Sequence, residues 1–295
     1  MRYRKLVAVG ILCVLPTSSA CGPENDTGDP VSGLPAYTVT TEVTIDSPVF
    51  SRAKRAGKLV IGSKEDQPYL ATVDADGGRS GFDIEVAKMV AADLGFSADQ
   101  IEFRTVRTDT RESAIVRGDV DLYVGTYTMN AERMKKVDFA GPYHMAGADL
   151  LVRMTEMHID GPRALKGKKV CSASGSTSLQ EIKKPNYGAV AVELPSYPAC
   201  VRQLLDEKVD AVTTDDAILM GYAAQHLLKT RIVGAPFTRE PYGIGMKKGD
   251  QALRRAVNDA LEVHRDNGDI KRAFLATLGR SGSPYAKPPP LERYP

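Results

Sequence analysis

Residues 125–133 read GTYTMNAER, and after three residues the chain continues VDFAGPY at 137–143. The run before them, VDLYVG at 120–125, is apolar and prone to form a strand. The junction therefore reads as a strand end running into a helix start. There the free N–H groups around Gly125 and Thr128, the hydroxyls of Thr126 and Thr128, and the guanidinium of Arg133 can converge on one carboxylate. Helix N-termini favour anions, and arginine grips them with a planar fork that stays charged. The plainer alternative is a capped helix carrying a surface arginine.

Working outward, short apolar runs alternate with amphipathic helical patterns. The runs at 58–63 (KLVIGS), 101–106 and 120–125 read as strands. Between them, 83–94 reads as a helix with Val86, Ala87, Val90, Ala91 and Leu94 on one stripe, and 111–117 as a short helix stopped by Gly118. The segment 148–152 (ADLLV) is expected to leave this set as an extended crossing. A second set follows: strand 168–173, helix from 177, strand 189–193, helix 198–207, strand 210–213, helix 215–226 and strand 231–234. The chain then passes through 236–250 into helices at 251–267 and 269–278. Such alternation implies an α/β architecture rich in parallel strands.

The GTYTMNAER and VDFAGPY strings resemble the signature of the polar amino-acid-binding proteins that feed ABC importers. Its form is a small residue, T/S, x, T/S, then an E/K-R pair and a V-D-F-x-x-P-Y tail. The string EPYGIGMKKGD at 240–250 is similar to the segment that returns the chain to the first lobe in that family. The resemblance covers 58–278, with its motifs in order. It implies a periplasmic-binding-protein-like type II fold: two lobes, each with a central, mostly parallel sheet, joined by a two-strand hinge. Lobe 1 would comprise 49–147 plus 235–280 and lobe 2 would comprise 148–234, with the ligand in the cleft between them.

The resemblance also implies roles. Arg133 would hold the ligand α-carboxylate, helped by Gly125, Thr126 and Thr128, while Ser174, Ser176 and Thr177 would meet it from the opposite wall. Asp215, after a buried strand, would pair the ammonium, a cation that is costly to bury alone. Lys64 and Arg111 suggest a second anionic group on the ligand, hence glutamate or aspartate, with glutamine as an alternative. The aromatic residue that many glutamine and basic-amino-acid binders place over the ligand is not evident, since Asp66 and Thr108 stand there. Each assignment has a plainer counterpart. Ser176, Thr177, Asp215 and Asp216 could be ordinary helix caps, and Lys64 and Arg111 solvated surface charges.

The N-terminus indicates where such a protein works. Arg2, Arg4 and Lys5 precede an apolar stretch at 6–15 and small residues up to Ala20, the layout of a bacterial export signal. Ser19-Ala20-Cys21 is similar to the end of a lipobox, which implies cleavage before Cys21 and a lipid on its thiol, anchoring the chain to the outer face of the cell membrane. Ser18 stands where that pattern carries Leu, so removal of the signal without lipidation is the alternative. Residues 21–48 read as a flexible tether, or alternatively as an ordered segment on lobe 1 with a strand at 37–45. The proline-rich tail at 281–295 either wraps the surface or stays mobile.

The whole chain has a formal charge of +2, but removing residues 1–20 leaves 36 basic and 37 acidic side chains, a charge of −1. No basic face remains for nucleic acid. Of the two cysteines left inside the folded part, Cys171 falls on a strand and Cys200 on the following helix, so an oxidising compartment is expected to join them. Two cysteines and scattered His144, His158, His226 and His264 lack the spacing of a metal site, and no cofactor is expected. Three functions fit: a monomeric receptor delivering an amino acid to an ABC permease, an amino-acid sensor signalling to a membrane kinase, or an enzyme of the same fold such as a cyclohexadienyl dehydratase. The last needs an acid/base group that none of the histidines supplies from within the motifs.

Overall fold

The computed structural model describes residues 33–294. The export signal, Cys21 and the first part of the tether lie outside the described residues.

The first set of elements is α1 (Pro48–Ala56), β1 (Leu59–Ser63), β2 (Asp66–Gln67), β3 (Ala71–Val73), β4 (Arg79–Ser80), α2 (Phe82–Asp93), β5 (Ile101–Thr105), α3 (Arg111–Arg117), β6 (Leu122–Tyr123), α4 (Ala131–Met134) and β7 (Val137–Ala146). The second is β8 (Ala148–Arg153), β9 (Lys169–Ala173), α5 (Thr177–Ile182), β10 (Val190–Leu194), α6 (Tyr197–Leu205), β11 (Ala211–Asp215), α7 (Asp216–Gln225) and β12 (Thr230–Ile232). Then come β13 (Glu240–Lys247), α8 (Gln251–Asp266) and α9 (Asp269–Ala276).

Two five-stranded sheets result, in the orders β5-β1-β6-β13-β7 and β10-β9-β11-β8-β12. In each, three strands pair in parallel and one neighbour runs antiparallel: β13 in the first sheet, β8 in the second. The fold is the type II periplasmic-binding-protein-like arrangement of two lobes. β13 belongs to the first sheet although it comes after every strand of the second, so the chain returns to lobe 1 as the 240–250 string implied.

The helices cover the sheets for reasons visible in their sequences. Val86, Ala87, Met89, Val90 and Ala91 of α2 are buried, and so are Leu253, Val257, Ala260 and Leu261 of α8. Burial of each large aliphatic side chain of this kind stabilises by about 1.5–3 kcal/mol. Gly118 closes α3 in the left-handed conformation, where glycine carries no Cβ penalty. Cys171 and Cys200 form a disulfide that staples β9 to α6 across a sequence separation of 29.

Both crossings between lobes are tied together. Only Gly147 separates β7 from β8, and a Cβ there would lie 2.8 Å from Thr238 O on the other crossing. Ala148 N donates to Thr238 Oγ1 at 2.9 Å, and Phe237 N donates to Ala148 O at 2.9 Å. The hinge is thus two hydrogen-bonded segments rather than two independent linkers.

The described part of 21–48 follows the ordered alternative and the tail the wrapped one; the departures from the sequence reading are that 37–45 forms no strand and that 48–56 forms a helix. The described part of the expected tether is laid on lobe 1: Tyr37 donates to Glu85 Oε2 at 3.1 Å, Thr40 N donates to Ala92 O at 2.9 Å, and Val43 and Ile45 pack on the core. It forms no strand there; the Thr40 amide bonds to the end of α2 instead of to a sheet edge. The tail wraps lobe 1, with Glu292 N donating to Gly141 O and the Tyr294 ring stacked under Arg254. Helix α1 was not anticipated. Ser47 caps it by accepting from Phe50 N, and Pro48 begins it, a favoured first-turn position.

Candidate ligand-binding site

The 125–133 loop is built by what lies under it. Beyond the two-residue β6, Val124 N still donates to Gly62 O, so the ladder holds up to the loop. A Cβ at Gly125 would meet Tyr123 Oη at 3.0 Å and Lys64 Cγ at 3.2 Å, so the absent side chain lets Lys64 lie against the loop. Thr126 then adopts φ +44°, a conformation that costs a β-branched residue about 1–3 kcal/mol. Its N–H is accepted by Asp83 Oδ2 at 2.9 Å, and its Oγ1 accepts from Gln67 Nε2 at 3.1 Å. Asn130 caps α4 by accepting from Arg133 N at 2.9 Å, which fixes the backbone from which the arginine projects.

Arg133 does not project into solvent. It is buried, and its Nη1 donates to Thr128 O at 2.7 Å. Arg111, also buried, lies with its Cζ 4.4 Å from the centroid of the Tyr127 ring, and Arg133 packs on the same ring at 5.1 Å. Glu112 joins them: its Oε1 is 3.4 Å from Arg133 Nε and 3.8 Å from Arg111 Nε, and accepts from Tyr127 Oη at 2.9 Å. Burial and the Arg111 charge pull Arg133 down to about 10, still protonated at neutral pH. Burial opposes the charge of Arg111 as well, but Tyr123, Glu112 and Tyr127 outweigh it and raise its pKa. Lys64 is buried with Nζ 3.4 Å from Asp66 Oδ1; burial lowers its pKa and Asp66 partly offsets this. None of these three cations is the solvated surface charge that was the plainer reading.

The opposite wall comes from lobe 2. Gly175 O accepts from both Arg111 Nη2, at 3.2 Å, and Arg133 Nη2, at 3.3 Å. Thr177 Oγ1 donates to Glu240 Oε2 at 2.9 Å, where β13 leaves the hinge. Asp215 ends β11, is buried, and accepts from Tyr242 Oη at 2.7 Å. Burial, reinforced by the Glu240 charge, pushes the Asp215 carboxyl up to about 8. Two serines are occupied in other ways. Ser176 Oγ caps α5 by accepting from Leu179 N at 3.1 Å, which is the ordinary cap role, and Ser174 Oγ donates to Leu194 O at 3.3 Å. With α4 one turn long and α5 six residues, anion attraction here rests on guanidiniums and hydroxyls rather than on a helix dipole.

A cavity of about 650 Å³ opens between the lobes, with Thr128, Arg133, Ser176, Thr177 and Glu240 on its wall. Lys64, Arg111, Thr126 and Asp215 are buried away from that wall. Arg111 Nε and Tyr123 Oη are buried polar atoms with no hydrogen bond among the described residues, the kind of unmet donor that a ligand acceptor satisfies. Elsewhere the lobes touch closely: Tyr222 Oη donates to Asp66 O, and a Cβ at Gly221 would lie 2.5 Å from Pro68 O. The arrangement can enclose a small zwitterion between buried cations and a buried carboxylate.

Residues 59–276 match the family described as bacterial extracellular solute-binding proteins, family 3. The chain belongs to this family. Among relatives of this family-3 protein, the glutamate-binding protein GluB of Corynebacterium glutamicum is 39% identical over 240 residues, covering 78% of this chain and 81% of the relative. The ABC transporter glutamine-binding protein GlnH of Bacillus subtilis is 36% identical, covering 72% and 77%. Among solved structures, an ancestral arginine-binding protein bound to glutamine gives a TM-score of 0.71 at 34% identity, over 76% of this chain and 98% of the other.

The predicted residues thus lie on both lobes, and Arg111, Arg133, Thr177 and Asp215 make contacts between them. Sequence reasoning missed their partners. Glu112 adjoins Arg111, and Glu240 and Tyr242 lie in the EPYG string, where only the return of the chain was read. Asp83, which holds the Thr126 amide, carried no motif of its own.

Proposed function

We propose that this family-3 protein is the extracellular receptor of an ABC amino-acid importer, exported and held at the outer face of the membrane by a lipid on Cys21. In this reading it binds glutamate or aspartate between its lobes and closes by bending at the paired hinge segments. The observation that carries the reading is the set of three buried cations, Lys64, Arg111 and Arg133, together with the buried carboxylates Asp215 and Glu240, both close enough for their charges to act on Arg133. Arg133, with Thr128 and Thr177, takes the α-carboxylate; Asp215 takes the ammonium, and the ammonium in turn holds Asp215 ionised. Lys64 and Arg111 take the side-chain carboxylate. Buried charges persist only when paired, and an acidic amino acid supplies both signs. The resemblance to GluB supports the same ligand class.

Glutamine is the second reading. Asp66 beside Lys64 and Glu112 beside Arg111 already balance part of the positive charge, and GlnH is also similar. Import is tested by uptake of labelled glutamate. A strain lacking the protein is expected to lose high-affinity uptake, with recovery on expressing the wild-type chain and none on expressing Arg133→Ala. Unchanged uptake in the deletion strain would remove the transport role and leave sensing to a membrane kinase as the binding-class alternative.

A further inference from the structure

Asp83 is the second residue of α2, in lobe 1, and is fully buried at 0% exposure. Its oxygens are met by one amide and one phenol, Thr126 N at 2.9 Å and Tyr143 Oη at 2.8 Å, and by no cation among the described residues. Its own N–H donates to Leu70 O at 2.9 Å, so the backbone carrying the carboxylate is fixed. Thr126, the residue it holds, is β-branched and has φ +44° in the middle of the head-group loop. A carboxylate buried without a counter-ion is expensive, and so is a threonine in the left-handed region. The two costs meet in a single hydrogen bond, which holds the Thr126 amide in an orientation the residue would not choose.

We infer that Asp83 is a positioning residue for ligand binding: through the Thr126 amide it keeps the 125–128 loop in the conformation that presents Thr128 to the ligand head group. Gln67 fixes the Thr126 hydroxyl, and Asp83 fixes the backbone beneath it. The inference rests on the amino-acid-receptor reading of the same site. Asn at position 83 can do the same work, since its oxygen accepts from Thr126 N and its NH₂ group donates to Tyr143 Oη.

The test is calorimetric titration of L-glutamate, and of L-glutamine in parallel, into the mature chain and its variants, well below their melting temperatures. Asp83→Ala is expected to weaken binding by about tenfold or more, and Asp83→Asn to stay within about threefold of wild type. A purely structural role would not depend on the strain at position 126. Glycine adopts φ +44° freely, so in a Thr126→Gly background Asp83→Ala is expected to cost at least about threefold less than in the wild-type background. Should Asp83→Ala not fold, Tyr143→Phe carries the test, with an expected loss of about threefold. Wild-type affinity in Asp83→Ala, an equal cost in both backgrounds, loss of binding by folded Asp83→Asn, or unchanged affinity in Tyr143→Phe would overturn the inference. A wild-type chain that binds neither amino acid would instead overturn the reading of the site, and this inference with it.

Discussion

Arg133 has its backbone fixed by Asn130, its guanidinium over the Tyr127 ring, and its fork shared between Thr128 O and Gly175 O of the other lobe. Arg133→Ala should therefore weaken amino-acid binding by about a hundredfold or more, within the range for breaking a buried charge pair. Near-normal affinity by titration would reassign the carboxylate site. Asp215 makes the opposite trade. Its folded pKa is raised to about 8 from 3.8, so the folded chain binds the extra proton, and the stability this residue contributes is lost as pH rises from about 4 through about 8. Asp215→Asn is thus expected to melt higher than wild type at pH 8 and above, with the difference shrinking towards pH 5, while losing affinity for the ligand ammonium. A melting difference independent of pH would contradict this. At this scale the sequence exposed charged residues at motif positions but not their counter-ions. Glu112 reaches Arg133, and Glu240 reaches Thr177, only through tertiary packing, which no local pattern encodes.

Elements were more legible than residues. The strands and helices with sustained apolar periodicity, such as α2, α8, β1 and β9, were anticipated within a residue or two because burial of one face or of a whole strand imposes that pattern. Helix α1 escaped because PVFSRAKRA offers only Val49, Phe50 and Ala53 to the core. The strands β2, β3 and β4, of two or three residues each, are too short to carry a period. Gly221 shows how an element serves closure. It lies inside α7, where alanine is favoured by about 1 kcal/mol, yet a Cβ would press on Pro68 O of the facing lobe. Gly221→Ala should leave the melting temperature of the ligand-free protein unchanged or raised and weaken glutamate binding by about tenfold. Unchanged affinity, measured by calorimetry, would show that the lobes need not approach so closely there.

For the whole molecule, the two-lobe plan followed from the order of motifs, since a return string after the second βαβ set requires the chain to come back to the first sheet. How the termini are used did not follow. The segment after residue 33 and the proline-rich tail carry scattered aromatic residues without periodicity, and their contacts, Tyr37 on Glu85 and His264 and Tyr294 on Phe139 and Arg254, depend on surfaces made by remote helices. The described N-terminal segment and the end of the tail brace lobe 1, while the chain around Gly282 also faces Met220 of α7 in lobe 2. In the proposed function, buried cations from one lobe and a buried carboxylate from the other together bind an acidic amino acid. Isothermal titration of the chain from Gly22 onward against Glu, Asp, Gln, Asn, Arg and His tests it most directly. The expected result is one-to-one binding of Glu or Asp with a micromolar dissociation constant, about −8 kcal/mol, and weaker or no binding of Arg and His. Preference for a basic amino acid, or no heat with any of the six, would contradict it.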